Sequence, residues 1–199
     1  MARTQAKNYD EVRQGILARS AEVFAERGYA AASIADLSRA NGISRGLLYH
    51  YFASKEALLD EMLNDHLDMM VEAIGEAAER GATPEARFRS AVTEFVRINA
   101  GSRALQIVLL HDLQHLGEDQ RAAIVEKQRR ILAIVKRLIA ALLPAPVPDA
   151  ELTARTMMFV GSVNYTYVWY DPDGPVGPDA YAQMAADSFL QGIGGAARS

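Results

Sequence analysis

The stretch Ser33-Ile34-Ala35-Asp36-Leu37-Ser38-Arg39-Ala40-Asn41-Gly42-Ile43-Ser44-Arg45-Gly46-Leu47-Leu48-Tyr49-His50-Tyr51-Phe52 decides the fold. Ser33 can cap a short helix over residues 34–40, because its hydroxyl accepts a backbone N–H that the first turn leaves open. Asn41-Gly42 is a turn signal. Ser44 caps another short helix over 45–51. Two short helices joined by a tight turn form a helix-turn-helix, whose second helix can enter the major groove of DNA. Ala35, Leu37, Ala40, Ile43 and Leu48 would face the small core. Ser44, Arg45, Gly46, Leu47, Tyr49, His50 and Tyr51 would form the recognition surface. Arg45 reaches a phosphate or a guanine edge, Tyr49 and His50 reach phosphates, and Gly46 allows close approach. Lys55 adds charge beside the open N–H groups of the next helix, an arrangement suited to phosphate. Ser33 plays a similar role for its own helix.

Outward from this stretch the chain reads as helix almost throughout, with Gly and Pro at intervals of about one helix length and no period-two strand. A first helix covers about residues 10–27, with Val12, Ile16, Ser20, Val23 and Phe24 on one face and Gly28 ending it. Ser54 caps a long fourth helix over about 55–80. Thr83-Pro84-Glu85 is a cap followed by proline at the first helical position and opens a fifth helix to about 100. Ser102 caps a sixth, to 116. A seventh spans about 118–143, before the proline-rich stretch 144–148. Asp149 caps an eighth, to about 170, and a last helix covers about 179–191. The expectation is an all-α protein of about nine helices. Its expected domains are a head over 1–54 and a second domain over 55–199, with the fourth helix linking them.

Composition narrows the classes. The chain has 199 residues, enough to bury a core without a disulfide or metal staple. It has no cysteine, which removes thiol nucleophiles, disulfides and cysteine-ligated metals. No export signal or membrane-length apolar run occurs, so the expected location is the cytoplasm. The net charge is −4, which taken whole is no footprint of a nucleic-acid binder. The charge is unevenly spread. Residues 1–60 hold eight Lys or Arg and seven Asp or Glu, so the acidity belongs to the remainder. DNA binding must therefore depend on where a few cations point.

With Ile16-Leu17, Phe24-Ala25-Glu26-Arg27-Gly28-Tyr29, the quoted stretch, and Ser54-Lys55-Glu56-Ala57-Leu58-Leu59 in register, residues 12–60 resemble the TetR-type transcriptional regulators. Asn41 departs mildly from that pattern, which usually has a small apolar residue there. The resemblance implies a homodimer on double-stranded, palindromic operator DNA. It also implies a ligand-binding and dimerisation domain beyond about residue 60, and a small-molecule inducer that releases the DNA. Such release is a population shift driven by the ligand's differential affinity for two states.

In the second domain His111 and His115 lie one helical turn apart, near Gln114. His111-Asp112-Leu113-Gln114-His115 imitates a zinc-protease helix, but Asp stands where that chemistry needs Glu and no third ligand is evident. No metal, cofactor or catalytic residue is expected. Arg103, Arg129, Arg130, Lys136 and Arg137 are basic; a solvated helix face is their bland reading and a phosphate site the sharper one. Asn164, Tyr165, Tyr167, Trp169 and Tyr170 form an aromatic run open to core, interface or pocket roles. The stretch 164–175, with the final helix ending Phe189-Leu190-Gln191-Gly192, resembles the subgroup that controls fatty-acid, steroid and phenylacetate breakdown and senses acyl-CoA thioesters. That implies an acyl-CoA or aryl-CoA inducer. The candidate ligand residues are Arg103, His111, Gln114, His115, Arg129, Phe159, Asn164 and Tyr167. Phe159, Val163, Tyr167, Met184 and Phe189 are the candidate dimer seam. A different hydrophobic or aromatic ligand stays open. So, more distantly, do a helical enzyme and an architectural DNA-binding protein, though no Gly-rich phosphate loop or nucleophile elbow appears.

Overall fold

A computed structural model describes residues 2–195, with side chains over 9–192. Every regular element among the described residues is helical: α1 (Ala2–Arg27), α2 (Ile34–Asn41), α3 (Arg45–Tyr51), α4 (Lys55–Ala77), α5 (Pro84–Gly101), α6 (Arg103–His111), α7 (Glu118–Leu142), α8 (Asp149–Asn164), α9 (Thr166–Trp169) and α10 (Pro178–Gly195), with a 3-10 turn at Leu113–His115. The all-α expectation holds. Two helices differ from it for local reasons. The eighth breaks at Tyr165, where the Ser162 and Thr166 hydroxyls donate to the Phe159 and Val163 carbonyls and Asn99 Nδ2 also reaches Val163 O. Side chains there compete with the helical ladder. The sixth stops at His111 and tightens into the 3-10 turn, and buried Asp112 between them accepts the Tyr29 backbone N–H at 3.2 Å.

The chain forms two compact units. One comprises Met1–His66 with Ala104–Ile124, the other Leu67–Arg103 with Val125–Ser199. In the first, Ile16, Leu17 and Phe24 of α1, Leu37 of α2, Leu48 of α3 and Leu58, Leu59, Met62 and Leu63 of α4 are buried. Val12, expected on the buried face of α1, is exposed. In the second, α5 packs along α10, and α8 and α9 pack on α5. Arg89–Asp187 (2.6 Å) and Arg97–Asp179 (2.7 Å) ion pairs clasp α5 to α10. Phe88, Phe159 and Phe189 meet in one aromatic cluster with centroids 5.1–5.6 Å apart. Beside it, Phe88, Ala91, Val92, Phe95, Val135, Leu138 and Phe159 line an apolar cavity of about 10 Å³, room for one water-sized group.

Candidate nucleic-acid interface

Local chemistry sets the two short helices. Ser33 and Asp36 form a reciprocal capping box at α2: Ser33 Oγ accepts the Asp36 N–H and donates to the Asp36 carboxylate, which also accepts the Ser33 N–H. These bonds, with Arg39 and Arg27 alongside, hold the Asp36 carboxyl down to about 2. Gly42 closes α2 with φ +63°, a left-handed conformation that glycine adopts at no steric cost. Ser44 caps α3 by accepting the Leu47 N–H at 3.1 Å. Leu48 anchors α3 in the core, as Leu37 anchors α2.

The opposite face of α3 carries Ser44, Arg45, Gly46, Leu47, Tyr49 and His50, all exposed. Arg45 makes no ion pair or hydrogen bond to the described residues, whereas Arg13 is tied to Glu61 and Asp65, and Arg27 and Arg39 to Asp36. A Cβ on Gly46 would meet nothing nearer than Ser44 Oγ at 3.9 Å, so the fold itself does not require glycine there. Its absence leaves the helix surface bare toward an incoming partner. Tyr49 is 51% exposed. Tyr51 turns back, stacked on Tyr9 of α1 at 4.7 Å, with the His50 ring edge-on to both. Tyr51 therefore braces the recognition helix.

One packing expectation for this unit is corrected, and two residues expected at phosphates have partners within the chain. Ala40 is exposed and Asn41 is buried in its place, donating to Ser20 Oγ (3.2 Å) and Leu37 O (2.9 Å). The Ser33 hydroxyl is taken up by its capping box. The Lys55 ammonium, expected at a phosphate, donates to Tyr29 O (2.8 Å) and Ala32 O (2.9 Å) and lies 4.2 Å from the Tyr29 ring centroid. It closes the loop after α1, whose carbonyls would otherwise lack a partner. Lys55→Met should lower unfolding stability in urea by roughly 2–3 kcal/mol, the loss of two charge-assisted bonds at a partly exposed site. An unchanged midpoint with weakened operator binding would return Lys55 to the phosphate role.

Tyr29 is the hub of this corner. Its ring stacks on His115 at 4.8 Å, with the planes at 25°, on the face of the 3-10 turn. Nothing in the spacing of the sequence ties residue 29 to 112 and 115. His115 also lies 3.8 Å from Asp112, and exposed Gln114 donates to the His111 carbonyl. His111, Gln114 and His115 all belong to the first unit. His115 packs there on the Tyr29 ring.

The other candidate ligand residues lie in the second unit. Arg103 Nε donates to Tyr167 O (2.8 Å) within α9 and holds that carbonyl in place. Asn164 meets Asn99. Arg129 is exposed beside Glu126 and joins neither group. Phe159 is buried on the cavity wall, which suits a ligand-lining role and removes it from any seam. Val163 is fully buried in its own chain, so it too leaves the seam. Phe189 is half-buried in the aromatic cluster, and Tyr167 is half-buried beside Tyr165. Of the expected seam, Met184 is exposed. The large exposed apolar residues of α8 and its end are Met157, Met158 and Tyr165.

Residues 16–62 match the bacterial regulatory proteins of the tetR family, and residues 81–193 match the tetracyclin repressor-like C-terminal domain. The chain belongs to the TetR family. This TetR-family protein is a DNA-binding, ligand-responsive transcriptional regulator and not an enzyme. It is 40% identical to a TetR-family transcriptional regulator from Bordetella parapertussis 12822, with a TM-score of 0.85 over 90% of this chain and 94% of that one. It is 28% identical to the HTH-type transcriptional repressor KstR2 of Mycobacterium tuberculosis, over 89% of this chain and 90% of the relative. It shares its fold with AibR, solved in complex with isovaleryl coenzyme A and operator DNA, at 23% identity and a TM-score of 0.74 over 92% of this chain and 97% of that one. No helix among the described residues is long and apolar enough to cross a membrane.

Proposed function

We propose that the protein is a repressor that binds a palindromic operator as a homodimer and is released by an acyl-CoA or aryl-CoA thioester. Residues 1–54 read the operator, and residues 55–199 sense the ligand and dimerise. The observation that carries the DNA part is the unpaired Arg45 on the exposed face of α3, between Ser44 and the bare Gly46. Two such faces related by a two-fold axis suit two half-sites about one turn of duplex apart. Access to chromosomal DNA implies work in the cytoplasm.

Kinship to KstR2, named a repressor, supports the direction of control, and the coenzyme A thioester bound by AibR supports the ligand class. An acyl or aryl tail needs apolar lining, which the cavity beside Phe88 and Phe159 offers in kind. Its volume admits one water-sized group, so seating a chain there would part α5, α7 and α8. Titrating octanoyl-CoA and phenylacetyl-CoA against the protein on its operator should release the DNA at micromolar concentration, with the free acids inactive. Operator affinity unchanged up to millimolar thioester sinks the ligand class.

The dimer face is assigned to α8 and α10. Residues 154, 157, 158, 161, 162 and 165 recur at helical spacing and are all exposed, and Met158 reaches 75%. Met184 on α10 adds to the apolar surface. Met158→Asp should shift the protein to monomer in sedimentation experiments, because two like charges would meet across a two-fold axis. A dimer of unaltered strength would place the interface elsewhere.

A further inference from the structure

His66 lies on α4 and Gln106 on α6, within the same compact unit. Neither belongs to a motif in the sequence. The available signal was that His66 falls on the apolar stripe of α4, between Leu59, Met62 and Leu63 on one side and Leu67 and Met70 on the other. His66 is 4% exposed, and neither ring nitrogen has a hydrogen-bond partner among the described residues. Gln106 is 7% exposed, and its Oε1 has none. Such groups are costly, because burial strips water from them without replacement. Other buried polar side chains of the described residues are better served. Asn41 and Asn99 each leave one carbonyl oxygen open but use their amide N–H groups, the Thr156 hydroxyl donates to Leu152 O of its own helix, and the Thr166 hydroxyl donates to Val163 O of α8. A serine hydroxyl such as Ser38, also open, can rotate, whereas an imidazole points its two nitrogens in fixed directions.

The open valences specify a partner. Burial pushes the His66 imidazole down to about 4, so at neutral pH it is uncharged and offers one N–H and one acceptor nitrogen. Gln106 Oε1 adds a second acceptor. Together they ask for two donors and one acceptor, all neutral. A hydrocarbon tail supplies neither kind. A carboxylate or phosphate supplies only acceptors and brings a charge that a buried neutral ring cannot compensate. A chain of secondary amides supplies N–H and C=O groups in alternation.

We propose that His66 and Gln106 are hydrogen-bonding stations for the amide-bearing pantetheine arm of a coenzyme A thioester, an assignment that rests on the thioester reading above. On this assignment the buried polar atoms discriminate thioester from free acid. Unpaired polar groups of this kind reject a ligand that lacks their partners more strongly than an apolar wall does.

The test measures release of a fluorescent operator duplex by octanoyl-CoA, by phenylacetyl-CoA and by octanoate. It compares the unaltered protein with His66→Leu, Gln106→Leu and His66→Asn, each referred to its own operator affinity without ligand. The expected result is that each leucine variant needs at least ten-fold more thioester. His66→Asn, which keeps a neutral donor and acceptor, should recover most of the response, and octanoate should leave every protein on the DNA. His66→Leu should melt no lower than the unaltered protein, because an unpaired polar group has been removed. If a leucine variant does not fold, the other leucine variant and His66→Asn carry the comparison. Equal thioester midpoints for the unaltered protein and the leucine variants overturn the stations and leave the thioester reading standing. Release by octanoate that the leucine variants lose overturns the pantetheine assignment. Failure of both thioesters to release the unaltered protein overturns the thioester reading and the stations with it.

Discussion

Arg45→Ala is expected to weaken operator binding by roughly 2–6 kcal/mol per dimer, taking about 1–3 kcal/mol for each lost contact, while the melting temperature and the dimer stay as they are. The reasoning is electrostatic. The first sixty residues are nearly balanced in charge, and the head's other cations are largely engaged: Arg13 by Glu61 and Asp65, Arg27 and Arg39 by Asp36, and Lys55 by two backbone carbonyls. Arg45 stands at the start of α3 with no intramolecular partner among the described residues, so removing it alters binding and not folding. Salt dependence separates its two possible contacts. Loss of a phosphate contact flattens the slope of log affinity against log salt by about one per protomer, whereas loss of a guanine contact leaves the slope and relaxes preference at one base pair. Unaltered affinity, or a dimer that falls apart, would show that α3 is not the recognition helix.

The second large effect is on stability in acid. Burial pushes His66 down to about 4, against about 6.5 in the unfolded chain. Above pH 6.5 both states are neutral, and the group contributes no pH dependence. As pH falls from 6.5 toward 4, the unfolded chain takes up a proton that the folded chain refuses, so the folded state loses stability. The loss approaches roughly 3 kcal/mol by pH 4, at about 1.4 kcal/mol for each unit of difference. Urea unfolding at a series of pH values should show this slope, and His66→Leu should remove it. The Asp36 capping box works in a separate window. Its carboxyl is held to about 2 by the bonds with Ser33, so its contribution is present above about 4 and is lost as pH falls from there toward 2. If the unaltered protein and His66→Leu lose stability in parallel between pH 6.5 and 4, the ring has solvent or a partner in solution.

Both effects show which interactions can be read along the chain. Caps and turns are local. Ser33 with Asp36, Ser44 with Leu47, Thr83 with Pro84, and Gly42 at φ +63° each join residues at most four apart, and each was legible from residue type and spacing. The alternation of Leu48 inward and Arg45, Tyr49 and His50 outward follows from helical periodicity in the same way. Those two facts sufficed for the all-α class, the helix-turn-helix and the recognition face.

Residue type without neighbours misleads where a side chain is long or has two uses. Lys55 at a helix start reads as a phosphate ligand, yet its four-carbon stem reaches carbonyls 23 and 26 residues back. Asn41 reads as a turn residue and is a buried donor to Ser20. Phe159 and Val163 share the apolar character of Met158, and the direction each faces was decided by what α5 and α10 already cover. The amino-acid sequence by itself determined the helices, their caps and the face offered to DNA, because those depend on contacts within one or two turns. Only the tertiary structure decided which head cations are engaged within the chain, which buried imidazole lacks partners among the described residues and which apolar stripe remains uncovered, because each depends on groups distant in sequence that packing brings within reach.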